Sequence, residues 1–377
     1  MKRVLALILA LAMCCVLFVG CGKEEANGSG DEPVNGDYKV AMITDYGDIT
    51  DQSFNQTTYE ACKEFCQNNN IDFIYKKPTG DSTDARVAMI EQAIGDGYNV
   101  IVMPGFAFGE AIQAVSAEYP EVKFIALDVS EYDLGEADRS NVYSAVYQEE
   151  LSGYMAGYAA VKLGYTKLGY LGGMAVPAVI RYGFGFVQGA DAAAADLGIE
   201  IEIKYVYGGQ FYGDADITAV MDTWYQAGTE VVFAAGGSIY SSAAEAAAKV
   251  GGKIIGVDVD QAAIIDGTYG EGMTVTSAMK GLKPSVMDAL KGIIDGKWDD
   301  YKGKVSNLGL ISGTDVEANY CQIPYETTQW AEGKFTKDDY VELVGKMYSG
   351  DIKVSNDTTA MPAVTNAKVD DQGSIKS

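Results

Sequence analysis

The 377-residue chain contains no histidine, so the commonest general base, the commonest metal ligand and every Ser/His or Cys/His catalytic arrangement are missing. Basic residues are scarce too: 28 Lys and Arg stand against 53 Asp and Glu, a formal net charge of −25 at pH 7. A chain of that sign repels a phosphate backbone, which sets nucleic acid aside as a partner. No Gly-rich loop ends in Gly-Lys-Ser/Thr, and no Gly-x-Ser-x-Gly elbow occurs. Neither a P-loop nor a hydrolase nucleophile turn is therefore encoded. What is present is a folding composition, with 48% hydrophobic and 21% charged residues, far from the compositions of disorder and long enough for two domains.

The chain opens with an address. Lys2 and Arg3 precede an apolar run from Val4 to Val19, followed by Gly20 and Cys21. A charged start, an apolar stretch and a small residue at the cleavage point define a signal peptide over residues 1–20, and the run is short for a spanning helix of about 20 residues. Leu17-Phe18-Val19-Gly20-Cys21 resembles a bacterial lipobox, which implies that Cys21 is acylated and becomes the new N-terminus. Residues 21–37, rich in Gly, Glu, Asp and Asn, read as a flexible tether. Removing the leader takes away Cys14 and Cys15, and lipidation takes Cys21, leaving Cys62, Cys66 and Cys321. An odd set is no disulfide framework. Cys62 and Cys66 share a helix face, but two thiols without further Cys or His are better read as core than as a metal site.

From Tyr38 onward short β-branched runs alternate with longer amphipathic ones. Strands at Lys39–Ile43, Asp72–Lys76, Val100–Met103 and Lys123–Leu127 are separated by helical stretches, and after a helix near 149–162 the pattern restarts at Lys167. Strands at this spacing with helical crossovers form parallel sheets covered on both faces. The expected architecture is two doubly wound parallel-sheet domains joined by hinge strands: an N-terminal lobe at 38–145 plus about 277–305, a C-terminal lobe at 146–276 plus about 306–350, and a tail at 351–377. In open α/β sheets ligands sit outside the carboxyl ends of the strands, so two such lobes facing each other make a cleft.

The residues at those ends carry the functional reading. Asp45 follows the first strand, and Asp51-Gln52-Ser53-Phe54-Asn55 opens the next helix, where Asp51 or Ser53 can equally be a cap. Asp128 ends the fourth strand, where a buried carboxylate needs a donor. In the second half Arg181-Tyr182 opens a helix, Phe211 and Gly236 follow the second and third strands, Asp258 the fourth, and Thr276-Ser277 leads to Lys280. Gly183 to Gly189 has the wrong glycine spacing for a dinucleotide fingerprint and lies within a helix. Asp45, Asp48 and Asp51 lack the glycine and terminal glutamate of a calcium loop.

Four segments in order, Asp51 to Asn55, Phe124 to Asp128, Gly256 to Gln261 and Thr276-Ser277 with Lys280, resemble the basic membrane protein family, lipoprotein receptors of ABC importers for purine nucleosides. The resemblance runs from Tyr38 to about Tyr348 and implies the type I periplasmic binding protein fold. It further implies that Phe54 and Phe211 stack on the base, with Tyr182 an alternative second face. Asp45 and Asp128 would accept from the base edge, with Asn55 beside them; Asp258 and Lys280 would hold the ribose hydroxyls, and Gly236 would let backbone approach the sugar. The partners it implies are a purine nucleoside (adenosine, guanosine or inosine) and an ABC permease. The protein would be a monomer on the outer face of a bacterial cytoplasmic membrane, with no cofactor, no metal and no catalysis. A ribose- or galactose-type sugar receptor shares the fold, and a metal-dependent nucleoside hydrolase using Asp45, Asp48 and Asp51 is the enzyme alternative.

Overall fold

A computed structural model describes residues 38–376; the expected leader, the tether and Cys21 lie outside them. The chain runs β1 (Lys39–Ile43), α1 (Phe54–Asn69), β2 (Asp72–Lys76), α2 (Thr83–Gly95), β3 (Val100–Pro104), α3 (Gly109–Val115), β4 (Lys123–Leu127), α4 (Glu131–Leu134) and β5 (Val142–Tyr147). It continues through α5 (Glu149–Leu163), β6 (Lys167–Gly172), α6 (Pro177–Leu197), β7 (Ile201–Tyr207), α7 (Ala215–Gln226), β8 (Val231–Ala235), α8 (Tyr240–Ala248), β9 (Lys253–Asp258), α9 (Ala262–Tyr269) and β10 (Thr274–Lys280). Last come α10 (Leu282–Ile294), β11 (Val305–Leu308), β12 (Cys321–Gln322), α11 (Lys337–Ser349) and β13 (Ala367–Ser374).

Among the described residues the strands form two sheets. The first has the order β11-β5-β4-β3-β1-β2 and is parallel throughout. The second, β12-β10-β9-β8-β6-β7-β13, is parallel apart from the short β12 at its edge. In each, the first strand of the lobe is flanked by the second on one side and the third on the other, so β1/β3 and β6/β8 are equivalent switch points.

Burial follows from strand alternation, which sends successive side chains to opposite faces. In β1, Val40 and Met42 join the core beneath α1 and α10, while Ala41 and Ile43 join the one beneath α2 and α3. Cys62 and Cys66 are buried free thiols in the α1/α10 layer, and Cys321 is buried and free as well. The second sheet is likewise covered by α5, α6 and α11 on one face and by α7, α8 and α9 on the other. Helices α5 and α6 approach unusually closely, because a Cβ at Gly153, Gly157, Gly185 or Gly189 would run into backbone of the facing helix. That packing is the use of Gly185 and Gly189, whereas Gly183 makes room for the Tyr170 and Tyr205 side chains.

The chain passes between lobes three times: from β5 into α5, from β10 into α10, which packs on α1, and from β11 to β12. Some boundaries differ from those expected. All of β10 through Lys280 belongs to the second sheet, β11 pairs with β5 in the first although it starts at the end of the stretch given to that lobe, and residues 367–374 are a strand of the second sheet on β7, not a tail. β13 is rich in charge and mostly exposed, so backbone pairing at a sheet edge holds it where side-chain alternation gives no signal.

Candidate functional site

The carboxyl ends of the two sheets face each other across a cleft of about 720 Å³. The nine residues assigned to the ligand on the family resemblance all line it: Asp45, Phe54, Asn55, Asp128, Tyr182, Phe211, Gly236, Asp258 and Lys280. Local geometry explains how each arrives there.

Asp51 is a cap. Its Oδ1 accepts from the backbone N–H of Ser53 and Gln56, and its Oδ2 from the N–H of Asn55 and from Asn55 Nδ2 at 3.0 Å. The helix start is thereby satisfied, and the Asn55 amide is oriented with Nδ2 toward Asp51. Asn55 Oδ1 is left buried with no hydrogen-bond partner. Asp45, at the end of β1, accepts from the N–H of Tyr46 at 2.6 Å and of Gly47 at 2.8 Å. Burial pushes its carboxyl up, those two bonds opposing. Gly105 has φ +125° at the neighbouring switch-point strand end, and a Cβ there would strike the Asp45 carboxylate.

Asp128 and Asp258 occupy equivalent strand ends in the two lobes, and both are left-handed, with φ 59° and 65°. A non-glycine residue held there costs about 1–3 kcal/mol, and in both lobes the conformation aims a carboxylate at the cleft. Lys280, from the end of β10, joins them: its Nζ lies 2.6 Å from Asp128 Oδ2, 3.4 Å from Glu149 Oε1 and 3.7 Å from Asp258 Oδ1. It also sits over the Phe54 ring at 4.7 Å. Burial works against the ammonium, but Asp128, Asp258 and Glu149 outweigh it and raise its pKa. Burial pushes Asp128 up to about 6 in spite of Lys280, and its Oδ1 is buried without a partner.

Asp258 also bridges the lobes. Ser53 Oγ donates to its Oδ2 at 2.6 Å and the Tyr182 hydroxyl to its Oδ1 at 3.3 Å, while Gln261 Nε2 donates to the Gln52 carbonyl at 3.0 Å. Tyr182 is 2% exposed and edge-on to Phe233 at 5.8 Å. Phe211, half-buried, stacks on Tyr46 of the other lobe at 6.4 Å, and the Tyr46 hydroxyl reaches Met174 Sδ at 3.4 Å. Gly236, with φ +154°, lets the Phe211 ring close against the β8 end, since a Cβ would stand 2.9 Å from it.

Several contributors escaped sequence reasoning. Glu149 is fully buried and joins Lys280 to Arg181, whose Nε lies 2.7 Å away. With Glu150, pushed by burial up to about 7, four carboxylates surround two cations. Ser53 was legible only as a cap, and Tyr46 not at all. The three aspartates of the hydrolase alternative diverge: Asp45 holds backbone amides through Oδ1 alone and Asp51 through both its oxygens, while exposed Asp48 meets Thr50 and Lys77. No group of His, Cys, Asp or Glu that could hold a metal occurs among the described residues.

Two lobes with equivalent switch points and a ligand-sized cleft between them are the architecture of a type I periplasmic binding protein. The family model for PnrA-like ABC transporter substrate-binding proteins matches residues 38–316. The ABC transporter nucleoside-binding protein BmpA of Lactococcus lactis subsp. cremoris is 30% identical over 386 residues, covering 98% of this chain and 96% of that protein. Basic membrane protein A1 of Borrelia garinii subsp. bavariensis is 28% identical, covering 85% and 90%. A solved ABC transporter solute-binding protein from Aeropyrum pernix K1 superposes with a TM-score of 0.65 over 85% of this chain and 88% of its own, at 22% identity, a likeness of fold. The chain belongs to the PnrA-like family of ABC transporter substrate-binding proteins. Membership implies a transported ligand and a membrane permease as partner. No helix of the described residues is long and apolar enough to cross a membrane.

Proposed function

We propose that the chain is a lipid-anchored receptor that captures a purine nucleoside between its lobes and delivers it to an ABC permease. The observation that carries this reading is the split character of the cleft. Aromatic rings Phe54 and Phe211 line it together with two buried acceptors that lack partners, Asn55 Oδ1 and Asp128 Oδ1. A buried acceptor without a donor costs about 1–3 kcal/mol, so the cleft favours a ligand that brings donors as well as a π-face. A nucleoside brings both. Phe54 and Phe211 stack on the base, each such contact being worth about 1–3 kcal/mol, and Asp45 and Asn55 read its edge. Because Asp128 shares Lys280 with Asp258, we assign these three to the ribose hydroxyls, moving Asp128 from the base edge that the resemblance implied, and Tyr182 to orienting Asp258. Surplus carboxylates disfavour a phosphorylated ligand. The L. lactis relative, a nucleoside-binding protein by name, supports the same reading.

Calorimetric titration with inosine, guanosine and adenosine beside ribose, galactose and a nucleoside monophosphate tests it. Nucleosides bind and the others do not; ribose or galactose binding as tightly as nucleosides transfers the chain to the sugar receptors. For the anchor, Cys21→Ala releases the protein from membranes, and retention of an unprocessed chain in the membrane fraction contradicts lipidation.

A further inference from the structure

The family-model match ends at residue 316, yet chain beyond it reaches the cleft. Asn356 lines it, and the end of β13 abuts the 208–214 loop that carries Phe211. The Ile375 N–H donates to the Tyr207 carbonyl at 2.8 Å, directly before that loop. Gly209, with φ +81°, has the Lys376 carbonyl 2.7 Å from where a Cβ would stand. Lys376 Nζ donates to Gln210 Oε1 at 3.2 Å and forms an ion pair with Asp214; Asp216 lies 3.8 Å away. Gln210 Nε2 in turn donates to Asp214 Oδ2 and to the Tyr212 carbonyl, both at 2.9 Å. Phe211 thus sits in a loop whose flanking side chains, Gln210 and Asp214, converge on one ammonium. On its other side the loop is held by the Ser238 N–H, which donates to the Phe211 carbonyl at 3.0 Å.

We propose that Lys376 is a positioning residue for the Phe211 face of the cleft, making the β13 segment a built part of the binding site. The inference rests on the reading that Phe211 meets the ligand. Preorganising a loop in its bound geometry raises affinity by removing the cost of ordering it. Losing the ammonium leaves the fold standing, because Asp214 caps α7 through its other oxygen, Oδ1, which accepts from the N–H groups of Asp216 and Ile217 at 3.0 Å.

The test is a double-mutant cycle on the full chain with inosine as the probe, read by calorimetry. Lys376→Ala weakens binding about twofold to fivefold, the range for a partly exposed ion pair, and Lys376→Arg restores it. Asp214→Asn, which keeps a capping oxygen, shows the same loss. In a Phe211→Ala background Lys376→Ala has no further effect, since its action runs through that ring. An equal loss in both backgrounds, or no loss in either, overturns the proposal. If Phe211→Ala itself leaves inosine binding unchanged, the stacking role fails as well, which separates failure of the functional reading from failure of this inference.

Discussion

The bond from Ser53 Oγ to Asp258 Oδ2 joins residues 205 apart in sequence and on opposite lobes, so it exists only while the cleft is closed. At 2.6 Å with a buried carboxylate as acceptor it belongs to the charge-assisted class, worth about 1.5–3 kcal/mol net. Binding coupled to closure therefore draws on it, and Ser53→Ala removes that share from the closed state alone. The freed Asp258 oxygen can accept from ligand or water, which brings the expected loss to the lower end, about tenfold in affinity. Ser53 makes no side-chain capping bond to α1, where Asp51 does that work, so the thermal stability of the ligand-free protein changes little. Titration with inosine gives the affinity, and stopped-flow release shows the loss in the dissociation rate, where weakened closure acts. Affinity within about twofold of the parent at unchanged stability refutes the idea that this bond helps hold the lobes shut.

Phe54→Ala weakens nucleoside binding about tenfold or more through lost stacking, whereas Asp258→Ala damages ribose recognition, so 2′,3′-dideoxy analogues suffer less than the parent; titration across that ligand series separates the two, and identical patterns contradict the division of the cleft. Asp128 gives ligand-free stability a pH dependence. Its carboxyl sits at about 6 instead of 3.8 because of burial, so the folded state holds a proton that the unfolded state has released. Its contribution is present below about pH 4 and falls as pH rises through about 6. Urea unfolding at several pH values shows this slope in the parent and a shallower one in Asp128→Asn, where buried Glu150 and Asp45 still contribute with the same sign; an unchanged slope in the variant assigns it elsewhere.

Much of the architecture was legible because doubly wound lobes are written in local periodicity. The runs at Lys39–Ile43, Asp72–Lys76 and Lys123–Leu127 have the expected limits in the structure. The strand-end carboxylates were legible for a topological reason: whatever follows a parallel strand at its carboxyl end reaches the cleft, and Asp45, Asp128 and Asp258 all do. Illegible were features that depend on long-range pairing. Glu149 reads as an ordinary acidic helix start, favourable with the dipole, until the fold buries it between Lys280 and Arg181. Asp51 shows the converse, since its role as a cap is local and was open to inference from the residues after it. β13 and Lys376 left no trace, because a charged edge strand has the composition of a tail.

Native mass spectrometry of the protein as purified from cells grown in rich medium tests the central claim most directly. The account predicts an added mass equal to one purine nucleoside per chain, lost on denaturation and diminished in Phe54→Ala. A bound pentose or hexose, or a free purine base beside released ribose, contradicts it.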